Sequence, residues 1–278
     1  MPINVAIDEG REFDWGRTSG DYAQHRPGPP LSFFERLRVL GVGLPRQRIL
    51  DLATGTGVLA RQFARQGANV TGIDIAPEQI EAASSLADGE RLEARFAVAS
   101  AEQSGLPDSS FDVITANQCW LYFDRDRILL EIDRLLAADG VLVVSFFNWL
   151  PGLDPIARAS EELVLKFNPQ WQGANWDGRI PPMPSWAKDR FELTAMFWYD
   201  EPIPFTRESW RGRMRACRGT GASLDGEALA AFDRAHDALL REIAGEQFSI
   251  IHRINAHFLR PIRTTSWPYS TSERLCLP

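Results

Sequence analysis

Residues 49–77, ILDLATGTGVLARQFARQGANVTGIDIAP, decide the fold. Ile49, Leu50 and Leu52 form an apolar run around Asp51, the pattern of a buried strand. Gly55 and Gly57 follow, and glycines there let the chain turn sharply and bring its backbone against a ligand. Leu59, Ala60, Phe63 and Ala64 recur at helical spacing until Gly67 ends the helix. Val70 and Ile73 then lead a second strand into Asp74, an acid where a doubly wound fold grips ribose hydroxyls. Strand, glycine turn, helix, strand and acid in this order build a pocket for an adenosine-containing cofactor.

Two cofactor classes share that pocket. The run GTGVLA satisfies the dinucleotide fingerprint G-x-G-x-x-G/A of a nicotinamide enzyme. Asp51, four residues before Gly55, points elsewhere. A carboxylate there repels a pyrophosphate and attracts the ammonium of a methionine moiety.

Asp51, Ala53, Gly55 and Gly57, then Asp74, then SAEQSGLPDSSFDVITANQCWLYF at 100–123, resemble the motif series of class I S-adenosylmethionine-dependent methyltransferases. The resemblance spans Asp51 to Asn148 and is strongest to the small-molecule branch with the ubiquinone and menaquinone methyltransferases. It implies S-adenosylmethionine as cofactor and S-adenosylhomocysteine as product. It further implies Asp51 near the methionine end, Asp74 on the ribose and Ile75 over one adenine face. Ser100 stands where many relatives carry an acid that reads the adenine amine, so Ala101 by its amide, or Glu102 as a substitute, takes that role. Asn117 and Gln118 are expected along the methionine arm at the carboxyl edge of the sheet.

The pattern of the whole chain predicts an α/β fold, a Rossmann-like doubly wound seven-stranded sheet with a mostly helical and loop-rich cap. Residues 1–48 would form a lid and first helix, 49–150 the cofactor-binding core, and 151–278 a substrate-recognition cap with the last strands. In the first part, LSFFERLRVLG sets Phe33, Leu37 and Leu40 on one helical face. Further along, DRDRILLEIDRLLAADG reads as a helix lined by Ile128, Leu129, Ile132, Leu135 and Leu136, turned at Asp139-Gly140 into VLVVSFF. Five strands alternating with helices imply a parallel sheet. Beyond Trp149 the pattern predicts a helix within 151–167, a loop NPQWQGANWDGRIPPMPSW, and a strand over 191–205. A helical pair over 207–244, broken at RGTGASLDG, and an alternating strand FSIIHRINAHFLR complete it.

Tyr22 and Arg26 lie one helical turn apart before Pro27. They are read as a lid pair, Arg26 on the cofactor carboxylate and Tyr22 over the sulfonium, or else as a surface cation and a core aromatic. Seven of the nine tryptophans stand at or after Trp149. Trp15, Trp120, Tyr122, Trp149, Trp171 and Trp176 are candidates to bound a flat acceptor, with core and lid packing as the alternative. The catalytic residue stays open, because in-line methyl transfer requires a base only when the acceptor must lose a proton.

With 30 Lys and Arg against 37 Asp and Glu, the net charge is −7. That disfavours nucleic acid, membrane surfaces and strongly anionic acceptors. The basic exception, WRGRMRACR at 210–218, reads as a solvated helix face balancing nearby acids, with an anion site as the alternative if it folds inward. Three scattered cysteines support no disulfide framework and a reducing, cytoplasmic setting, and four histidines show no metal-binding spacing. No opening stretch reads as a signal segment and none reaches the length of a bilayer span. Oligomeric state is not legible. The expected activity is methyl transfer to a small-molecule acceptor, with an NAD(P)-dependent oxidoreductase or a binding protein without transfer as alternatives.

Overall fold

A computed structural model describes residues 7–10, 14, 16–25 and 27–263. One seven-stranded sheet carries the fold. Its strands are β1 (Arg48–Leu52), β2 (Asn69–Asp74), β3 (Ala94–Val98), β4 (Phe111–Asn117), β5 (Leu136–Trp149), β6 (Phe191–Thr206) and β7 (Gln247–Pro261), in spatial order 3-2-1-4-5-7-6. The first five are parallel, while β7 runs antiparallel to both β5 and β6. The chain winds outward from β1 to β3 and returns to β4. The strand order therefore reverses between β1 and β4, and ligands in open α/β sheets bind at the carboxyl ends beside such a reversal.

Eight helices flank the sheet among the described residues: α1 (Ser19–His25), α2 (Leu31–Val39), α3 (Val58–Arg65), α4 (Pro77–Gly89), α5 (Arg125–Leu135), α6 (Pro155–Phe167), α7 (Arg207–Arg215) and α8 (Gly226–Ile243). Local chemistry sets their starts. The Asp124 carboxylate accepts from the Arg127 amide, Asp154 accepts from Ile156 and Ala157, and Asp225 accepts from Ala228. Thr206 and Ser209 form a reciprocal capping box on α7. Buried Leu59, Ala60 and Phe63 fix the inner face of α3.

Three boundaries differ from the sequence reading. Leu40 caps α2 and is exposed, so Phe33, Phe34 and Leu37 are the residues buried there. The α5 helix stops at Leu135. Leu136 already pairs with Phe111, and the register slips before Val113 meets Val141. The Asp139-Gly140 turn thus lies inside an irregularity of β5, and a Cβ at Gly140 would stand 2.8 Å from the Leu136 side chain. Helical periodicity cannot see such a change, because Leu136 is equally at home on a helix face and in a strand.

The amino-terminal segment is tied to the α7–α8 connection. The Asp14 amide donates to the Ala222 carbonyl at 3.0 Å and Arg17 Nη2 to the Leu224 carbonyl at 3.1 Å. In α1, Asp21 accepts two bonds from Arg215, at 2.8 and 3.1 Å. Among the described residues no helix is long and apolar enough to cross a membrane, and no His, Cys, Asp and Glu group is placed to hold a metal ion.

Candidate active site

A cavity of about 690 Å³ opens at the carboxyl ends of β1, β2 and β4 and continues under the segment after β5. Its first half is backbone turned to receive a ligand. Ala53, just after β1, and Gln118, just after β4, hold φ of 47° and 65°, a left-handed conformation that non-glycine residues adopt only where the surroundings impose it. Gln118 is fixed there by its amide donating to the Ser145 carbonyl at 3.0 Å and by its side-chain amide donating to the Phe147 carbonyl. Asn117 Oδ1 accepts from Ser145 Oγ at 3.0 Å.

Asp74, at the tip of β2, accepts from the Gly55 amide at 2.9 Å and from the Ala76 amide at 3.0 Å. Burial raises its pKa, and these amides oppose the shift. A carboxylate so held has acceptor capacity left for a hydroxyl in the cavity. Beside it Ile75 is 47% exposed although it lines the cavity, an apolar side chain held open. Ser100 Oγ donates to Glu102 Oε2 at 2.6 Å, and Glu102 Oε1 accepts from the Asp124 amide, so this acid is already engaged at the wall.

Ala53, Gly55, Asp74, Ile75, Ala101, Glu102, Asn117 and Gln118 all line the cavity. Two of the other expected residues do not. Asp51 is buried beneath the floor, its oxygens accepting from Thr54 Oγ1 at 2.6 Å and Thr115 Oγ1 at 2.7 Å. Burial pushes its pKa up to about 6 against those hydrogen bonds. Gly57 starts α3 with φ 73°, and a Cβ there would press on Phe96 at 3.0 Å and Ala83 at 3.2 Å. Turn geometry and packing both require a glycine there. Tyr22 lies in α1, but its side chain, together with Arg26 and Trp15, is outside the described residues.

The second half of the cavity is aromatic. Tyr122, Trp149, Trp171 and Trp176 line it, whereas Trp120 belongs to the core, 4.0 Å between ring centroids from Trp186. Trp149 is anchored by its indole N–H donating to Glu161 Oε1 at 2.6 Å. Glu161, on the buried face of α6, accepts the Asn175 amide on its other oxygen at 2.7 Å, and burial raises its pKa. Trp171 is wedged between glycines: a Cβ at Gly173 or Gly219 would stand 2.5 or 2.6 Å from its ring. His252 does not reach the cavity; it stacks on Phe147 with centroids 4.5 Å apart and bonds the Ile250 carbonyl.

The basic run 210–218 divides. Arg211 and Arg215 pair with Asp21, Asp233 and Asp237, as a face balanced by nearby acids should. Arg213 and Arg218 instead line the cavity, correcting the reading of this run as wholly solvated. Arg213 is 4% exposed and lays its guanidinium 4.9 Å over the Trp149 ring. Arg218 grips buried Asp8, Nε to Oδ2 at 2.8 Å, and lies 5.7 Å over Tyr122. Arg213 shares the buried face of α7 with Trp210 and Met214, and Glu161 shares that of α6 with Ala157 and Val164. A charged residue in an apolar helical stripe was the available signal for both. Asp8 carries no such signal, because its partner is 210 residues away.

A family model described as a methyltransferase domain matches residues 50–144. The demethylmenaquinone methyltransferase of Thermus thermophilus is 40% identical over 123 residues, 43% of this chain and 56% of that protein. The ubiquinone biosynthesis O-methyltransferase of Psychrobacter cryohalolentis is 33% identical over 186 residues, 59% of this chain and 72% of that protein. In structure, phosphoethanolamine N-methyltransferase 2 of Haemonchus contortus, solved with S-adenosyl-L-methionine, aligns over 91% of this chain and 57% of that one. At a TM-score of 0.51 and 20% identity, that likeness is one of fold.

Proposed function

This chain belongs to the class I S-adenosylmethionine-dependent methyltransferases, in the branch of the quinone methyltransferases, and from that premise we propose how its cavity divides between cofactor and acceptor. The cofactor lies along Ala53, Gly55, Asp74, Ile75, Ala101, Asn117 and Gln118, and a small flat acceptor lies against Tyr122, Trp149, Trp171 and Trp176. The observation that carries this reading is continuity: one cavity joins the strand-end half, with its pinned carboxylate and exposed isoleucine, to the aromatic half. Its volume is within the range of about 300–1,000 Å³ usual for ligand sites.

The residues present fit the cofactor. Asp74 offers lone pairs for ribose hydroxyls, Ile75 an apolar face for adenine, and Asp51 a negative charge below the methionine end. Bound S-adenosylmethionine supplies an electrophilic methyl group on a sulfonium. The chain's contribution is alignment: Gln118 and Ala53 hold the floor, and the tryptophans fix the plane of the acceptor and exclude water. Alignment of this kind is worth roughly 7–11 kcal/mol. The methylated atom is chosen by whichever lone pair that plane presents to the methyl group. The names of the relatives support a phenol- or quinone-like ring, with residues 49–150 supplying the cofactor core together with Tyr122 and Trp149 of the acceptor wall, and the segment from 151 supplying the rest of that wall and the last sheet strands. Cys119 and Cys217 are buried thiols in no disulfide, which supports a reducing, cytoplasmic setting.

Calorimetry with S-adenosylmethionine, S-adenosylhomocysteine, NAD and NADP tests the cofactor half. The first two are expected to bind, and tight dinucleotide binding with no response to S-adenosylhomocysteine would overturn the reading. Release of S-adenosylhomocysteine in the presence of a panel of ring acceptors distinguishes transfer from binding alone.

A further inference from the structure

We propose that Glu161 is a positioning residue for the acceptor: its one side chain ties the end of β5 to the 171–176 segment and so sets the aromatic wall against which the acceptor lies. This rests on the assignment of the aromatic half to the acceptor. The tryptophans of that wall come from two separate stretches of chain. Trp149 closes β5, whereas Trp171 and Trp176 stand in the irregular segment after α6. Glu161, on α6 between them in sequence, is bonded to both stretches. Its Oε1 accepts from Trp149 Nε1 at 2.6 Å, and its Oε2 accepts from the Asn175 amide at 2.7 Å.

The chemistry of the two donors makes the carboxyl group specific. An indole N–H and a backbone amide N–H can only donate. Joining them through one side chain takes two acceptor oxygens on one carbon, which Glu supplies and Gln does not. The tie also acts where the backbone is least free. Asn175 holds φ of 60°, a left-handed conformation directly before Trp176, and the bond to Glu161 fixes its amide. Stability alone is a poor reason for an acid at this place. Glu161 is 1% exposed, no cation pairs with it among the described residues, and burial raises its pKa. An apolar residue of similar volume would fill the position without that desolvation cost, yet the carboxylate stands at the cavity wall. With one oxygen fewer, either the indole or the 171–176 segment is left with an orphaned donor. The wall is then in its binding-competent arrangement for only part of the population, and acceptor affinity falls by that fraction.

The test uses protein loaded with S-adenosylhomocysteine and three flat neutral rings as probes, 2-naphthol, coumarin and 4-hydroxybenzamide, measured by calorimetry. At least one ring is expected to bind wild type, and Glu161→Gln should weaken it about ten-fold or more, because one of the two donors is orphaned. In a Trp149→Phe background only the Asn175 amide remains to be held, and one oxygen suffices. There Glu161→Gln should change ring affinity by no more than about twofold. A carboxylate acting through its charge alone would cost as much in either background. In every variant S-adenosylhomocysteine affinity should stay within about twofold of wild type, which also reports folding. If Glu161→Gln binds the rings as wild type does, or costs as much in the Trp149→Phe background as without it, the proposal is wrong. Where Glu161→Gln alone does not fold, folding of the double variant supports the tie, and its failure to fold overturns it. If no ring binds wild type, the acceptor assignment fails and this proposal with it, while the cofactor reading stands. Failure of S-adenosylhomocysteine itself to bind would instead remove the cofactor reading, and this proposal with it.

Discussion

Asp51 sits in a parallel strand buried on both faces, where an ionised carboxylate is costly, and its two threonine bonds only partly offset that cost. Folded, it titrates near 6 against an ordinary value of 3.8, so the native state holds the proton more tightly. Stability from this group therefore rises as pH falls from 6 toward 3.8, by about 3 kcal/mol in full. His236 works in the opposite direction. Buried and neutral beside Ser160, it titrates near 4 against 6.5, so the unfolded chain takes the proton first and stability is lost as pH falls below 6.5. Between pH 6 and 4.5 the two contributions largely cancel. Urea unfolding across that window, each variant read against wild type at the same pH, should show Asp51→Asn losing stability on acidification relative to wild type and His236→Gln gaining it. Binding is expected to follow the same proton: affinity for S-adenosylmethionine should fall from pH 7 to 5, and fall less in Asp51→Asn, with the remainder belonging to Asp74, whose pKa burial also raises. At Asp74, substitution by Ala removes ribose acceptors and also orphans the Gly55 amide, so S-adenosylhomocysteine should bind about 1–3 kcal/mol more weakly. An unchanged dissociation constant would remove Asp74 from the site.

Between elements, the two loop tryptophans part company. Trp171 is clamped by glycines, so Trp171→Ala should destabilise the fold by about 3–5 kcal/mol and blur any kinetic reading. Trp176 is only half-buried, so Trp176→Ala should raise the acceptor KM while cofactor affinity stays near wild type. The α1 helix rests on α7 through Asp21 and Arg215, and a Cβ at Gly212 would stand 2.1 Å from the His25 ring. Gly212→Ala should therefore lift α1 at a cost of about 1–3 kcal/mol, read as faster hydrogen exchange over Ser19–His25. In the wild type, exchange there should slow when S-adenosylhomocysteine binds. Equal exchange with and without it would make α1 a fixed surface element. These contacts explain what the sequence could not disclose. The strand-end half of the cavity is written in short stretches at strand tips, Ala53 to Gly55, Asp74 with Ile75, and Asn117 with Gln118, whose order along the chain is itself the geometry. The aromatic half is braced by Asp8, Glu161, Arg213 and Arg218, which tertiary packing alone brings together.

Across the whole molecule, the parallel strands were legible in different ways: β1, β4 and β5 as apolar runs, β2 as Val70 and Ile73 leading into Asp74, and β3 as Phe96 and Val98 alternating with smaller residues. Of the last two, β6 was legible as an extended stretch and β7 by alternation. Their order and direction were not, because β7 inserts between β5 and β6 by pairings such as Val144 with His257 and Tyr199 with Ile254, far apart in sequence. That insertion has a consequence in time. A ribosome adding about 5–20 residues per second finishes β5 and then needs about 5–20 s to reach β7. Through that interval the outer edge of β5 lacks its final partner and β6 has nothing to pair with. Pro202, Pro204 and the acids Asp200 and Glu201 on β6 are residues that discourage edge-to-edge association, and they protect a strand that remains an edge even when the sheet is complete. Chains released at residue 246 should accordingly sediment as aggregates, whereas chains released at 263 should stay in the supernatant. The nascent protein thus acquires its final sheet only when its last strand threads between two earlier ones.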